Sequence, residues 1–373
     1  MKQRLLTLLV ALCVAVGAYA FEFGDLTYNV TSDVEPYTVE VARQSSYNNY
    51  PGLTSVTIPE TVTYNGKTYT VTGIGESAFQ NCSDLTSVII PEGVTSLGDY
   101  AFFSCRGLTS ITIPESVTSI GDVIFCYCTS LKSLIIPDAV ERVGVGAFIS
   151  SGIESITFGK GLTSIRAGVF DNCKELTSIV VAGENSVYDS RNNCNAIIET
   201  ATNELITGCK TTVIPNDVTS IGFSAFEQCL GLESIVIPEG VTEIKAWAFD
   251  GCTGLTSVSI PSTVTEIGNV AFANCSALKS MICLAEVPPT CTEMTFDGVP
   301  GDIPLYVPDA SVGAYKADFI WWFFDVRAVS DIPSGIKHIT NDGRLPSRKV
   351  IRDGQVLILC NGKVYTLTGQ EIR

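Results

Sequence analysis

A 23-residue period decides what this chain can fold into. Three consecutive stretches read LTSVIIPEGVTSLGDYAFFSCRG from Leu85 to Gly107, LTSITIPESVTSIGDVIFCYCTS from Leu108 to Ser130, and LKSLIIPDAVERVGVGAFISSG from Leu131 to Gly152. A period in this range predicts a solenoid, because one such unit cannot bury its own apolar face and must stack on the next. Further copies begin at Leu53, Ile153, Leu176, Leu232, Leu255 and Leu278.

Each unit has the form L-x-x-[VI]-x-[VIF]-P-x-x-V-x-x-I-G-x-x-A-F-x-x-C. In its first segment, Leu85, Val88 and Ile90 are expected to point inward, and Ser87 and Ile89 outward. Alternation of β-branched residues reads as a strand. Proline then ends the strand because it has no amide to donate (Pro59, Pro91, Pro114, Pro137, Pro238 and Pro261). A second short extended segment follows, as in Val94–Leu97 and Val117–Ile120. Gly98, Gly121, Gly222 and Gly268 are read as permitting a tight corner. Phe79, Phe102, Phe125, Phe148, Phe170, Phe226, Phe249 and Phe272 share one register and predict a continuous aromatic spine.

The 14 cysteines invite a disulfide reading, which the period argues against. Cys82, Cys105, Cys128, Cys173, Cys229, Cys252 and Cys275 hold one repeat position, so each stands above the last. Stacked strands lie about 4.8 Å apart, whereas a disulfide wants its Cβ atoms roughly 3.8 Å apart. The expectation is a ladder of buried thiols packed as small hydrophobes, each a weak donor for a turn carbonyl. Cys194 with Cys209, and Cys283 with Cys291, lie outside the ladder and are the candidate pairs.

Five segments follow. Residues 1–20 read as a signal peptide, with Lys2 and Arg4, an apolar run from Leu5 to Val16, and Ala18-Tyr19-Ala20 as the cleavage site. Cys13 is not read as a lipidation site, since Leu12 before it is bulky and it sits inside the apolar run. Residues 21–52 read as a β cap and 53–300 as the solenoid. An insertion over about 184–214 should emerge on one face as a candidate binding element. Residues 301–329 read as an irregular cap, and 330–373 as a linker with a short β tail. In the first copy and in the tail, Asn65-Gly66 and Asn361-Gly362 read as hairpin turns.

The motif as a whole, LTSVxIPEGVTSIGxxAFxxC, resembles the Treponema-type leucine-rich repeat of BspA-like surface proteins, common in Bacteroides-group anaerobes. The resemblance covers Phe21 to Ala328. It implies a β-rich leucine-rich-repeat solenoid, a right-handed curved stack of coils, exported and cell-surface, secreted or periplasmic. It also implies adhesin-like binding to host or partner-cell macromolecules. The stretch Val364–Gln370 is similar to the start of a type IX secretion sorting domain, which would continue beyond Arg373, so sorting by that route is not expected.

Chemistry is not expected of this chain. The single histidine, His338, lies in the tail, so a Ser-His-Asp or Cys-His pair within the array has no base. Cys126-Tyr127-Cys128 has the wrong spacing for zinc, and no cofactor is expected. Without Lys2 and Arg4 the net charge goes from −16 to −18, which argues against a nucleic-acid partner. No stretch reaches the length of a membrane span. A protein or glycoprotein ligand is expected first, and a glycan captured for polysaccharide uptake second. The strand face presents rows of serine and of β-branched residues on a ribbon on the order of 50 Å long. Because binding hot spots favour Trp, Tyr and Arg, the candidate contacts are Tyr188 and Arg191 in the insertion and Trp321 and Trp322 in the cap.

Overall fold

A computed structural model describes residues 19–44 and 49–332, together with strand segments 348–352, 355–360, 363–366 and 371–372. The chain is a β-solenoid of about 11 coils. Its N-terminal cap is a meander of Ala20–Phe23, Leu26–Ser32 and Thr38–Ala42. The last of these passes the stack on by pairing in parallel with Lys67–Ile74. The Asn65-Gly66 hairpin forms as its sequence predicts: both residues sit at positive φ (49° and 76°), as a type I′ turn requires.

Each coil contributes to two parallel ladders. The strand-face ladder runs through Ser55–Thr57, Ser87–Ile89 and Ser110–Thr112, then Ser133–Ile136, Ser155–Phe158 and Ser178–Val181. It resumes at Ser234–Val236 and ends at Asp325–Ala328. Alternation holds in detail: Leu85, Val88 and Ile90 are buried while Ile89 is exposed. Threonine hydroxyls bind the coils along the ladder edges. Thr109 Oγ1 donates to the Thr86 carbonyl at 3.0 Å, and Thr86 Oγ1 to that of Thr54 at 2.8 Å.

The spine forms and is longer than the repeat suggests. Phe79, Phe102, Phe125, Phe148 and Phe170 stack with centroids 5.4–5.7 Å apart, and Tyr50 caps Phe79 at 5.5 Å. A second run joins Phe226, Phe249 and Phe272 at 5.0 Å per step. It continues to Phe296 at 5.7 Å, whose ring meets Trp321 edge-on at 5.1 Å. Beside the spine, Cys105, Cys128, Cys252 and Cys275 Sγ donate to the carbonyls of Phe79, Phe102, Phe226 and Phe249 at 3.0–3.2 Å. Cys82 and Cys173 do the same with Asn49 and Phe148. Cys229 departs from the pattern: it is half-buried at a seam described below.

Two features of the turn differ from expectation. Gly98 and Gly121 are not at positive φ. They are needed because a Cβ would lie 2.8 Å from the Glu76 nitrogen or 2.6 Å from the Asp99 nitrogen on the preceding coil. Arg166 and Lys245 hold the same position in two coils, so that approach relaxes locally. The left-handed positions lie one residue before Ala-Phe and two after it: Tyr100 and Ser104, Val123 and Tyr127, Trp247, Val270 and Asn274. Valine is a poor occupant, since a β-branched side chain at φ 57° crowds its own backbone. Val123→Gly is therefore expected to raise stability by up to about 1 kcal/mol. The check is the urea midpoint, with buried Val117→Gly as the opposite-signed control.

The C-terminal cap comprises Pro304–Val307, a helix Val312–Ala317, a turn Trp321–Phe323 and the strand Asp325–Ala328. In the tail, Arg348–Arg352, Gln355–Cys360, Lys363–Thr366 and Glu371–Ile372 form a four-stranded antiparallel sheet. Cys360 pairs with Lys363 across the hairpin. The leader up to residue 18, with Cys13, and His338 lie outside the described residues; Ala20 begins the first strand of the cap, and the Tyr19 carbonyl accepts from the Val30 amide.

Candidate interaction surface

The insertion is not a surface excursion. Its hairpin, Ala196–Glu199 with Glu204–Gly208, is slotted between coils and buried on both faces. Ile197 packs into the N-terminal half of the core and Ile198 into the C-terminal half, both fully buried. The hairpin is thus a partition. The second ladder, which runs from Lys67–Ile74 through Ser96–Leu97 to Ser164–Ile165, resumes at Glu204–Gly208, which pairs in parallel with Ser220–Ile221. Gly208 N–H donates to the Ala225 carbonyl at 2.9 Å, a place that Phe amides fill in other coils. A Cβ on Gly208 would lie 2.3 Å from the Phe226 ring, so only glycine fits there.

The partition explains where the predicted contact residues end up. Tyr188 is 7% exposed and packs in the core, so its ring offers no ligand surface. Asn185 seats this segment: its Nδ2 donates to the Leu162 carbonyl at 2.9 Å, and its Oδ1 accepts from the Val187 and Tyr188 amides at 2.8 Å. Arg191 is consumed internally. It contacts Asp189 and Asp217 at 2.6 Å and Asn203 Oδ1 at 2.8 Å, clamping the insertion to the next coil. Trp321 is fully buried, and its Nε1 donates to the Pro289 carbonyl at 3.0 Å. Trp322 alone of the four is open, at 59% exposed, between exposed Phe319 and Phe323. The four do not form one site.

The twelve cysteines from Cys82 to Cys291 are free thiols. Cys194 and Cys209 bond to the Ala196 and Asn195 carbonyls, and Cys283 accepts from the Tyr315 hydroxyl at 3.2 Å. Burial pushes the Cys82, Cys173 and Cys275 thiols up to about 12. A thiol held there has almost no thiolate at neutral pH and is inert as a nucleophile. Among the described residues, no group of three His, Cys, Asp or Glu side chains is placed to hold a metal ion. A recess of about 480 Å³ beside the N-terminal cap is lined by Glu22, Asp25, Gln44 and Tyr50.

Sequence reasoning missed the outer turns. Tyr100 and Tyr127 are 38% and 41% exposed and sandwich Phe103, with centroids at 6.0 and 5.6 Å. Val145 is exposed on the coil after Tyr127, and Phe223 and Trp247 on two coils beyond the partition. Because these residues do not recur, the period carries no signal for them; an aromatic at a variable position was the available clue. The solvent-facing chemistry is therefore an apolar, aromatic set of outer turns and a plain serine and β-branched ribbon.

A model of the BspA type leucine rich repeat region matches residues 43–177 and 200–296 in six copies, well over half the chain. The chain belongs to this family. The break in the match, 178–199, runs from the last strand before the partition to its first strand. Among solved structures, this BspA-type solenoid is similar to a leucine-rich repeat protein from Bacteroides ovatus at 28% identity. That match covers 79% of this chain and 81% of the other, with TM-score 0.53. A leucine-rich repeat protein from Eubacterium ventriosum is 25% identical, with 78% of each chain covered and TM-score 0.56. The pneumococcal vaccine antigen PcpA shares the fold at 16% identity, covering 83% of this chain and 97% of that one, with TM-score 0.56. A search of curated protein sequences finds no match. No helix among the described residues is long and apolar enough to cross a membrane.

Proposed function

We propose that this BspA-type protein is exported and works by binding macromolecules, as an adhesin-like protein of the cell surface, and not by catalysis. The observation that carries this is the pairing of exposed tyrosines with a rigid scaffold. Tyr100 and Tyr127 are fixed by the coil stack and pre-organised, so little side-chain entropy is lost when they are covered. The apolar run Leu5–Val16 after Lys2 and Arg4 supports export. The buried thiols and the lack of a histidine in the array support a non-enzymatic role.

A glycan-capture role is the second reading. Exposed rings at Tyr127, Trp247 and Trp322 favour it, since sugars stack on such platforms. One experiment addresses both: residues 21–373 are passed over immobilised extracellular-matrix glycoproteins and over an oligosaccharide array. Saturable retention by a glycoprotein that survives removal of its glycans supports the adhesin-like reading. Retention by free oligosaccharides supports glycan capture. If neither retains the protein above a heat-unfolded control, the binding role is wrong.

A further inference from the structure

The first strand of the N-terminal cap is built from residues that lie before the expected leader cut. Ala20 pairs with Asn29, and Phe21 with Tyr28, in an antiparallel ladder. One residue earlier Tyr19 is still in register, since its carbonyl accepts from the Val30 amide at 3.2 Å. Tyr19 and Phe21 share a strand face, being two residues apart. The Tyr19 ring lies 6.2 Å from that of Tyr64, on which Phe21 stacks at 4.2 Å. The Tyr19 hydroxyl lies 3.0 Å from that of Tyr69 and donates to Asp33 Oδ1 at 3.3 Å. Asp33 also accepts from Lys67 Nζ at 2.7 Å and from the Tyr69 hydroxyl at 3.0 Å. Tyr19 therefore closes a cluster that ties the start of the cap to the strand Lys67–Ile74.

A cut after Ala20 would undo this end. The Val30 amide would lose its acceptor, and Asp33 and Tyr69 would lose the Tyr19 hydroxyl. A charged ammonium would also sit on the backbone nitrogen of Phe21, a residue only 5% exposed. Burying a charge without a partner is costly. A cut after Ala18 keeps every one of these contacts and leaves the ammonium on Tyr19, which is 38% exposed. The sequence offers that cut: Val16-Gly17-Ala18 has short side chains at the same spacing as Ala18-Tyr19-Ala20.

We infer that the leader is removed at the Ala18–Tyr19 bond, so that Tyr19 is the first residue of the exported protein and completes its cap. The inference rests on the export proposed above and adds the bond that is cut. An envelope leader peptidase adds one water across that peptide bond: Ala18 leaves as a carboxylate, and the Tyr19 nitrogen takes the proton and becomes an ammonium. The peptidase meets the chain before it folds, so the choice of bond is written in the leader. The cap is complete after only one of the two cuts.

The test expresses the full chain, residues 1–373, in an exporting Gram-negative host and weighs the exported protein intact by mass spectrometry. Its mass should be that of residues 19–373, one Tyr-Ala dipeptide heavier than residues 21–373. Ala20→Leu spoils only the later site and should leave the cut unchanged. Ala18→Leu lies in both sites and should leave the leader attached. An exported chain that starts at Phe21 or at Cys13, or processing lost on Ala20→Leu, overturns the inference and leaves export standing. An uncut wild-type chain retained in the cell overturns both. A second measurement reads the contact itself. The Val30 amide should exchange with solvent at least about fivefold more slowly in residues 19–373 than in residues 21–373, the factor that one net hydrogen bond supplies. Equal exchange in the two chains overturns the role given to Tyr19 in the cap, and the inference with it.

Discussion

Replacing Phe125 with alanine is expected to cost about 3–5 kcal/mol. The ring is fully buried and stacked between Phe102 at 5.6 Å and Phe148 at 5.5 Å, nearly parallel to both. Removing it opens a cavity that the neighbouring coils cannot close, because backbone bonds hold them at their spacing: the Phe102 amide donates to the Ile124 carbonyl at 3.1 Å and the Phe125 amide to the Ala147 carbonyl at 2.8 Å. Stability in a stacked array is a sum of coil and interface terms, so the damage should stay local. Hydrogen exchange should speed up in the coils around residues 97–150 and little beyond the partition. A small loss, or one spread evenly over the chain, would mean that the ring is not a spine element.

Raising the pH should weaken the seam between the two halves, and Asp171 is the group responsible. Burial, with Glu227 and Asp250 nearby, pushes its carboxyl from 3.8 to about 7. The folded state then holds the proton more tightly than the unfolded chain. The contribution is fully present below about pH 3.8 and is lost as pH rises through about 7. The upper limit is about 4 kcal/mol. Asp171 lines a cavity of about 10 Å³ with Cys173, Cys209, Cys229 and Glu227, where no cation compensates its charge. Lys67, Lys160 and backbone donors hold Asp33, Asp138 and Asp309 below the usual range, and these lose stability on the acid side instead. Comparing wild type with Asp171→Asn separates the effects. The variant should be the more stable at pH 8 by a few kcal/mol, and the gap should narrow steadily toward pH 4 and close below about pH 3.8. Parallel pH curves for the two proteins would contradict this assignment.

What the sequence made legible follows from recurrence. Leu85, Phe102 and Cys105 each stand in register with identical residues above and below, so one side chain predicts its neighbours. Phe296 falls outside the pattern because a polar Thr precedes it where the other coils have Ala, Ile or Val, yet Thr295 is fully buried and its Oγ1 donates to the Gly268 carbonyl at 3.1 Å. The 33 extra residues around the insertion misled for a physical reason. Polar Asn185, Asp189 and Arg191 suggest a loop, but they are spent on internal bonds. The runs around Ile197-Ile198 and Leu205-Ile206 do read as a strand pair, which forms; its place between coils was not legible, although the continuous apolar run Ala196-Ile197-Ile198 fits a strand buried on both faces, which shows no alternation. In the cap, four adjacent aromatics could not all face inward. The structure buries Trp321 and Phe324 and exposes Trp322 and Phe323.

The partition is the feature on which the continuity of the stack rests: a hairpin buried on both sides joins two runs of coils into one solenoid. Hydrogen-exchange mass spectrometry on residues 195–209 tests this directly. Their amides should be protected as strongly as those of the strands Ser155–Phe158 and Ser257–Ile260. Exchange of that peptide within seconds, beside slow exchange in those strands, would show a surface loop and contradict the account.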